Sequence, residues 1–301
     1  MDARRTFGGP DVCLNDATAQ RKEQPKCSVW QVRRHRVYLR AMTARAQLAV
    51  TFDVDAESVW LAASPDYERR LSTLSEARYG VGRGLARILD LLERYEAQAT
   101  FYVPGATAER HPAAVTRVLE AGHVVGHHGH DHLKSHTIDA GSQRREIERG
   151  FAALERLGVK PDGYRSPAWE LTPETLALLG EAQFVWDSSL MEDDRPYEIE
   201  AGTHTLIELP VHWTLDDWPW FGWTEEAGGS LGDADVVARV WEHELRVAID
   251  ERRPLTITMH PEVIGRPHRL VALERVLEVA RASDIPVVSH AALAASVGAA
   301  R

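Results

Sequence analysis

From Leu48 onward, short apolar runs rich in β-branched residues alternate with longer stretches whose apolar residues recur every three or four positions. Apolar runs of strand length separated by helix-period segments predict βα units around a mostly parallel sheet. Strands are expected at Leu48 to Val54, Ala99 to Val103, His123 to Gly126, Gly163 to Ser166, Phe184 to Asp187, Leu206 to Val211, Leu255 to Met259 and Pro286 to Ser289. Amphipathic helices are expected at Leu85 to Tyr95, Ala113 to Ala121, Ser142 to Leu157, Glu174 to Ala182, Asp235 to Glu251 and Leu270 to Ala282. Thr172-Pro173-Glu174 carries an N-cap and a first-turn proline, the ordinary signals of a helix start. The fold class expected is α/β, as a distorted, incomplete (β/α) barrel of about seven strands. An open doubly wound sheet would put ligands at the same strand ends, so the pattern alone leaves closure open.

Residues 1–45 show no sustained period, are polar, and turn basic between Arg33 and Arg40. They are expected to form a disordered extension, with one catalytic domain over 46–301. Met42 stands just before the first strand, so a translation start there is a further expectation, which mass spectrometry of the native N-terminus would test.

Composition narrows the field. The 301 residues suffice for a core without disulfides, and Cys13 and Cys27 both precede the patterned region. A net charge of −10 argues against a general nucleic-acid binder, which needs a basic stripe. No apolar run reaches membrane-spanning length, and the arginine pairs at Arg4-Arg5 and Arg33-Arg34 lead into no signal-peptide stretch. A cytoplasmic location is therefore expected. Self-association into a homo-oligomer is compatible with the sequence.

Polar, reactive side chains fall at the predicted strand ends: Asp53, Asp55, His128, Arg165, Asp187, His212 and His260. In an α/β barrel that rim builds the active site. Asp53 and Asp55 are two apart, so both can face one site only where the strand bends into its loop. Residues 122–136 hold six of the 14 histidines. Three pairs there have the i, i+4 spacing that can hold one metal: His123 with His127, His128 with His132, and His132 with His136. Strand-end position favours His128 and His132. Gly80, Gly82 and Gly84 form a GxGxG without a preceding strand, read as a helix-entry loop rather than a nucleotide cradle. Between Pro210 and Trp223 lie four of the nine tryptophans, able to stack on sugar rings, wall an amide pocket, or simply pack.

Thr51-Phe52-Asp53-Val54-Asp55, then Gly122 to His132, then Tyr164-Arg165-Ser166-Pro167-Ala168-Trp169, and finally Met259-His260-Pro261 resemble, in order, the motifs of the polysaccharide deacetylase (NodB-homology) family. The tail His260 to Pro267 is similar to the branch holding certain peptidoglycan deacetylases and allantoinase-like enzymes. The resemblance implies Asp53 as base, Asp55, His128 and His132 as metal ligands, Arg165 as partner of Asp53, and His260 as general acid. It implies a divalent metal, Zn before Co or Mn. Trp169 would wall the pocket, and Trp213, Asp216, Trp218 and Arg266 are candidate substrate contacts. Val54 between the aspartates and Gly129 after the first motif histidine depart from the wider family and are shared by this branch.

The expected activity is metal-dependent hydrolysis of a C–N amide bond, as deacetylation of an N-acetylated sugar. The partner would be an oligosaccharide or small-molecule substrate, with neither nucleic acid nor membrane. A small amide, cyclic imide or ureide is the alternative substrate. A two-histidine, one-carboxylate iron oxygenase is disfavoured because the histidine cluster at 122–136 holds no His-x-Asp/Glu pair, Asp131 being preceded two residues earlier by Gly129. A non-catalytic carbohydrate-binding relic is disfavoured by the intact Asp53, Asp55 and His260.

Overall fold

The computed structural model describes residues 46–224, 228–229 and 231–298. The expected extension at 1–45 lies outside the described residues. Among the described residues eleven strands form: β1 (Leu48–Asp53), β2 (Thr100–Val103), β3 (Val124–His127), β4 (Gly163–Tyr164), β5 (Trp186–Asp187), β6 (Tyr197–Ala201), β7 (His204–Glu208), β8 (Trp223–Thr224), β9 (Gly228–Gly229), β10 (Leu255–Met259) and β11 (Val287–Val288). Nine join one sheet in the order β10-β1-β2-β3-β4-β5-β7-β6, with β11 also on β1. Every pairing in it is parallel except the β6–β7 hairpin. The end strands β10 and β6 do not pair, so the barrel is incomplete, and seven parallel strands follow one another along it.

All eight expected strands are present. The hairpin partner β6 was not foreseen, although Tyr197, Ile199 and Ala201 alternate with Glu198 and Glu200 before a glycine at positive φ, Gly202. That is an ordinary strand-and-turn signal.

Burial explains the sheet. β1 is buried at all six positions, as a strand covered on both faces must be. On one side, Phe52 and Phe101 stack 4.7 Å apart in the main core with Ile88, Leu91 and Leu92 from the helix Leu85–Arg94. On the other, the helix His290–Gly298 presses Leu293, Ala294 and Val297 against Ala49, Trp186, Ile207 and Leu209. No helix among the described residues is long and apolar enough to cross a membrane.

The glycine cluster corrects one expectation. Gly80–Gly84 is a widened π-type turn joining the helices Leu71–Tyr79 and Leu85–Arg94, not a loop that opens a helix. A Cβ on Gly80 would sit 2.6 Å from Glu262 Oε2 and 2.8 Å from its backbone nitrogen, and one on Gly84 would overlap the Pro261 carbonyl. These glycines let the helix lie directly against the turn that follows His260.

Candidate active site

The site lies where the parallel strands end. Asp53 is the last residue of β1, and Asp55 follows two positions later, just before Ala56 at φ 49°. The Asp55 carbonyl accepts from Thr107 Oγ1 at 2.8 Å and from the Ser58 amide at 3.0 Å, which fixes the bend that turns both carboxylates to one cluster. His128 follows β3, and its Nδ1 donates to the Arg165 carbonyl at 2.7 Å, leaving Nε2 as the free lone pair. That Nε2 lies 3.5 Å from Asp55 Oδ1 and 3.9 Å from Asp53 Oδ2. His132, at φ 60°, brings its Nε2 to 3.2 Å from Asp55 Oδ2.

The structure therefore selects among the three histidine pairs. His127 is fully buried and spends both ring nitrogens on backbone: Nε2 donates to the Ile147 carbonyl at 2.9 Å and Nδ1 accepts from the Gly129 amide at 3.0 Å. His123 packs on Phe101, and His136 is exposed. The loop between the two remaining histidines is pinned by Glu146, whose Oε2 accepts the amides of His130 and Asp131 at 3.0 and 2.8 Å.

Asp55, His128 and His132 are all buried, and their donor atoms lie within 4.8 Å of one another. Asp55 Oδ1 is a buried carboxylate oxygen with no hydrogen-bond donor. Burial pushes its carboxyl up, but His132, His128 and His260 together outweigh that and hold it well below the ordinary range. Burial likewise disfavours a charged His128. An ionised carboxylate with an orphan oxygen beside a neutral imidazole lone pair fits a divalent cation, and the His128 bond to a backbone carbonyl is the usual outer support of such a ligand. Two other groupings of similar residues are self-satisfied: Glu146 is committed to backbone amides, and Asp217 to His260.

Asp53 is held from behind. Arg165, fully buried, gives Nη1 to Asp53 Oδ1 at 2.7 Å and to Thr51 Oγ1 at 2.9 Å, while Nε and Nη2 go to the Ser188 carbonyl and hydroxyl at 3.0 and 2.9 Å. Its guanidinium also lies 4.3 Å from the Tyr102 ring centroid. Across the cluster, His260 follows β10. Its amide and Nδ1 both donate to Asp217, at 3.0 and 2.7 Å, and its Nε2 faces Asp55 Oδ2 at 3.8 Å. Burial opposes its charge, but Asp217, with Asp216 and Asp55 beyond, raises it well above the ordinary histidine value. A parallel bridge from Asp216 to Thr258 on the free edge of β10 brings Asp217 there. The sequence offers Asp216 for substrate contacts; the bond of its neighbour Asp217 to His260 depends on a long-range pairing that local pattern does not encode.

The remaining candidates divide. Trp169 is buried and stacks on the half-exposed Trp213, centroids 4.4 Å apart. Trp218 meets His260 edge to face at 5.2 Å, and Trp60, which the sequence did not single out, tilts against Trp218 at 6.0 Å. Asp216 is buried, accepts from the Trp218 amide at 2.8 Å, and is pushed up to about 7 by burial. Arg266 is held elsewhere, over the Tyr79 ring at 3.7 Å and 3.6 Å from Glu76. A cavity of about 290 Å³, lined by His212, Thr214, Leu209 and Thr256 among others, opens between the end of β7 and the start of β10 and includes none of the clustered residues.

An incomplete barrel whose rim gathers Asp53, Asp55, His128, His132 and His260 offers a site able to hold a cation and exchange protons. The family model for polysaccharide deacetylase matches residues 79–185. A solved structure from Mycobacterium smegmatis assigned to the polysaccharide deacetylases is 38% identical, with TM-score 0.82 over 85% of this chain and 91% of that one. The peptidoglycan deacetylase of Helicobacter pylori is 26% identical over 79% of this chain and 90% of its own length. A Puue allantoinase structure, 22% identical with TM-score 0.74 over 86% of this chain and 92% of that chain, shares the fold. The chain belongs to the polysaccharide deacetylase family.

Proposed function

We propose that this chain hydrolyses the amide of an N-acetylated sugar, with Asp53 as base and His260 as acid. The observation that carries the reading is the closeness of these two to Asp55, His128 and His132: Asp53 Oδ2 lies 3.9 Å from His128 Nε2, and His260 Nε2 lies 3.8 Å from Asp55 Oδ2. The last three would hold a divalent cation, Zn before Co or Mn, and that ion would supply Lewis-acid polarisation and make water more acidic. Arg165 occupies Asp53 Oδ1, which leaves Oδ2 to take the proton of the attacking water. Water oxygen bonds to the carbonyl carbon, the C–N bond breaks, and His260 Nε2 gives its proton to the departing nitrogen, yielding acetate and a free amine. Asp217 keeps His260 in the tautomer that presents Nε2 and favours its protonated form. The Trp169–Trp213 stack offers a flat apolar wall for a sugar face.

A second reading, hydrolysis of a small cyclic imide or ureide, is favoured by enclosure: Asp53 and Asp55 are each 2% exposed and His128 1%. That suits a small ligand better than a polymer. The test is one screen. Chelated protein is reloaded with Zn, Co or Mn and offered N-acetylglucosamine oligomers, peptidoglycan fragments, ureides and cyclic imides, with released acetate and ring opening followed separately. Acetate release supports the first reading and ring opening the second. No turnover with any metal would overturn both.

A further inference from the structure

Two acids lie side by side behind the site. Asp187 of β5 and Glu208 of β7 are register partners in adjacent parallel strands, and both are fully buried. Like charges at such a position repel. One oxygen of each is satisfied: Asp187 Oδ1 accepts from Ser189 Oγ at 3.0 Å, and Glu208 Oε1 accepts the amides of Ser189 and Leu190 at 2.9 Å each. The other two, Asp187 Oδ2 and Glu208 Oε2, have no donor. As register partners in adjacent parallel strands the two side chains stand on the same face of the sheet, and one proton shared between the carboxyl groups would give the orphan oxygens a partner and remove one of the two buried charges.

The turn that these acids hold leads to the base. Ser188 takes two bonds from Arg165, and Ser189 Oγ accepts the Ser166 amide at 2.9 Å. Arg165 then clamps Asp53. We infer that Asp187 and Glu208 are positioning residues, a carboxyl–carboxylate pair sharing one proton that fixes the Ser188–Ser189 turn and, through Arg165, the orientation of Asp53. Burial pushes Asp187 up to about 6 and Glu208 well above the ordinary range, as one shared proton requires. The charged and titratable groups that face the pair are Arg165, which opposes the rise at Asp187, and the phenols of Tyr102, Tyr164 and Tyr197, each pushed up by burial first and by Asp187 among the lesser causes.

The inference rests on the hydrolytic reading only for Asp53; the shared proton stands apart from it. Glu208→Gln keeps an acceptor for the two amides and offers an N–H to Asp187, and Asp187→Asn does the mirror image. The double variant leaves two N–H groups facing each other with no acceptor. Each single variant is expected to keep kcat within about threefold of wild type, while the double loses at least about tenfold, with KM and bound metal unchanged. The infrared difference spectrum of wild type minus Glu208→Gln, at neutral pH, should contain the carbonyl band of one protonated carboxyl group. Absence of that band, or a double variant as active and as stable as the singles, would overturn the inference. If no substrate turns over, the function fails, while the infrared band and the melting temperatures of the three variants still decide the pair.

Discussion

Asp53 and Asp55 carry the same side chain two positions apart, and their surroundings give them different partners. Asp53 is gripped by Arg165, whereas Asp55 keeps a buried oxygen without a donor. Asp55→Ala and His128→Ala are therefore expected to lose bound metal and activity together, read by elemental analysis beside turnover. Asp53→Asn should retain metal while kcat falls by on the order of 10²–10⁴; a fully active Asp53→Asn would remove it as the base. Asp217→Asn should leave the fold intact and lower kcat by a similar order, because the amide no longer enforces the tautomer that aims Nε2 at the site. Equal kcat in that variant would reduce Asp217 to a packing residue. Asp55, His128 and His132 were legible in the sequence through spacing, strand-end position and motif. The roles of His127 and Asp217 were not, since each depends on a partner, Ile147 or His260, that only the folded chain brings near.

At the level of elements, alternation and helical period located all eight expected strands and the six expected helices, because covered parallel strands must be apolar throughout. The widened turn at Gly80–Gly84 escaped that reading because its glycines answer to Pro261 and Glu262, some 180 residues away, rather than to their own helix. The close approach makes a sharp prediction. Gly84→Ala forces a methyl group into a backbone carbonyl and should cost about 1–3 kcal/mol. Because the displaced carbonyl belongs to the residue after His260, kcat should fall more than KM changes. Thermal melts and steady-state kinetics measure both, and a variant as stable and active as wild type would show that the turn yields freely.

Across the whole molecule, acid should be the weak side. His290 is fully buried, with Nδ1 2.7 Å from the Tyr102 hydroxyl and Nε2 3.1 Å from Thr256 Oγ1. Burial, with Arg165 behind it, holds this imidazole well below its ordinary value, and burial holds His127 at about 4. A histidine that stays neutral when folded protonates first in the unfolded chain, so its contribution to stability is complete above about pH 6.5 and is lost as pH falls from there towards the folded value. The melting temperature should drop between about pH 7 and about pH 5, and His290→Gln should flatten that slope while lowering stability at neutral pH. An unchanged slope would assign the acid sensitivity to other groups. The sheet carries one more consequence. β1 ends in Asp53, yet it mates with β10 and β11, and its Thr51 meets Thr258 from 207 positions further on. A ribosome therefore releases β1 long before either of those neighbours exists, and the nascent chain carries a bare apolar edge until they are made. Pairing across so much sequence slows folding, and an edge left open that long invites association with other chains.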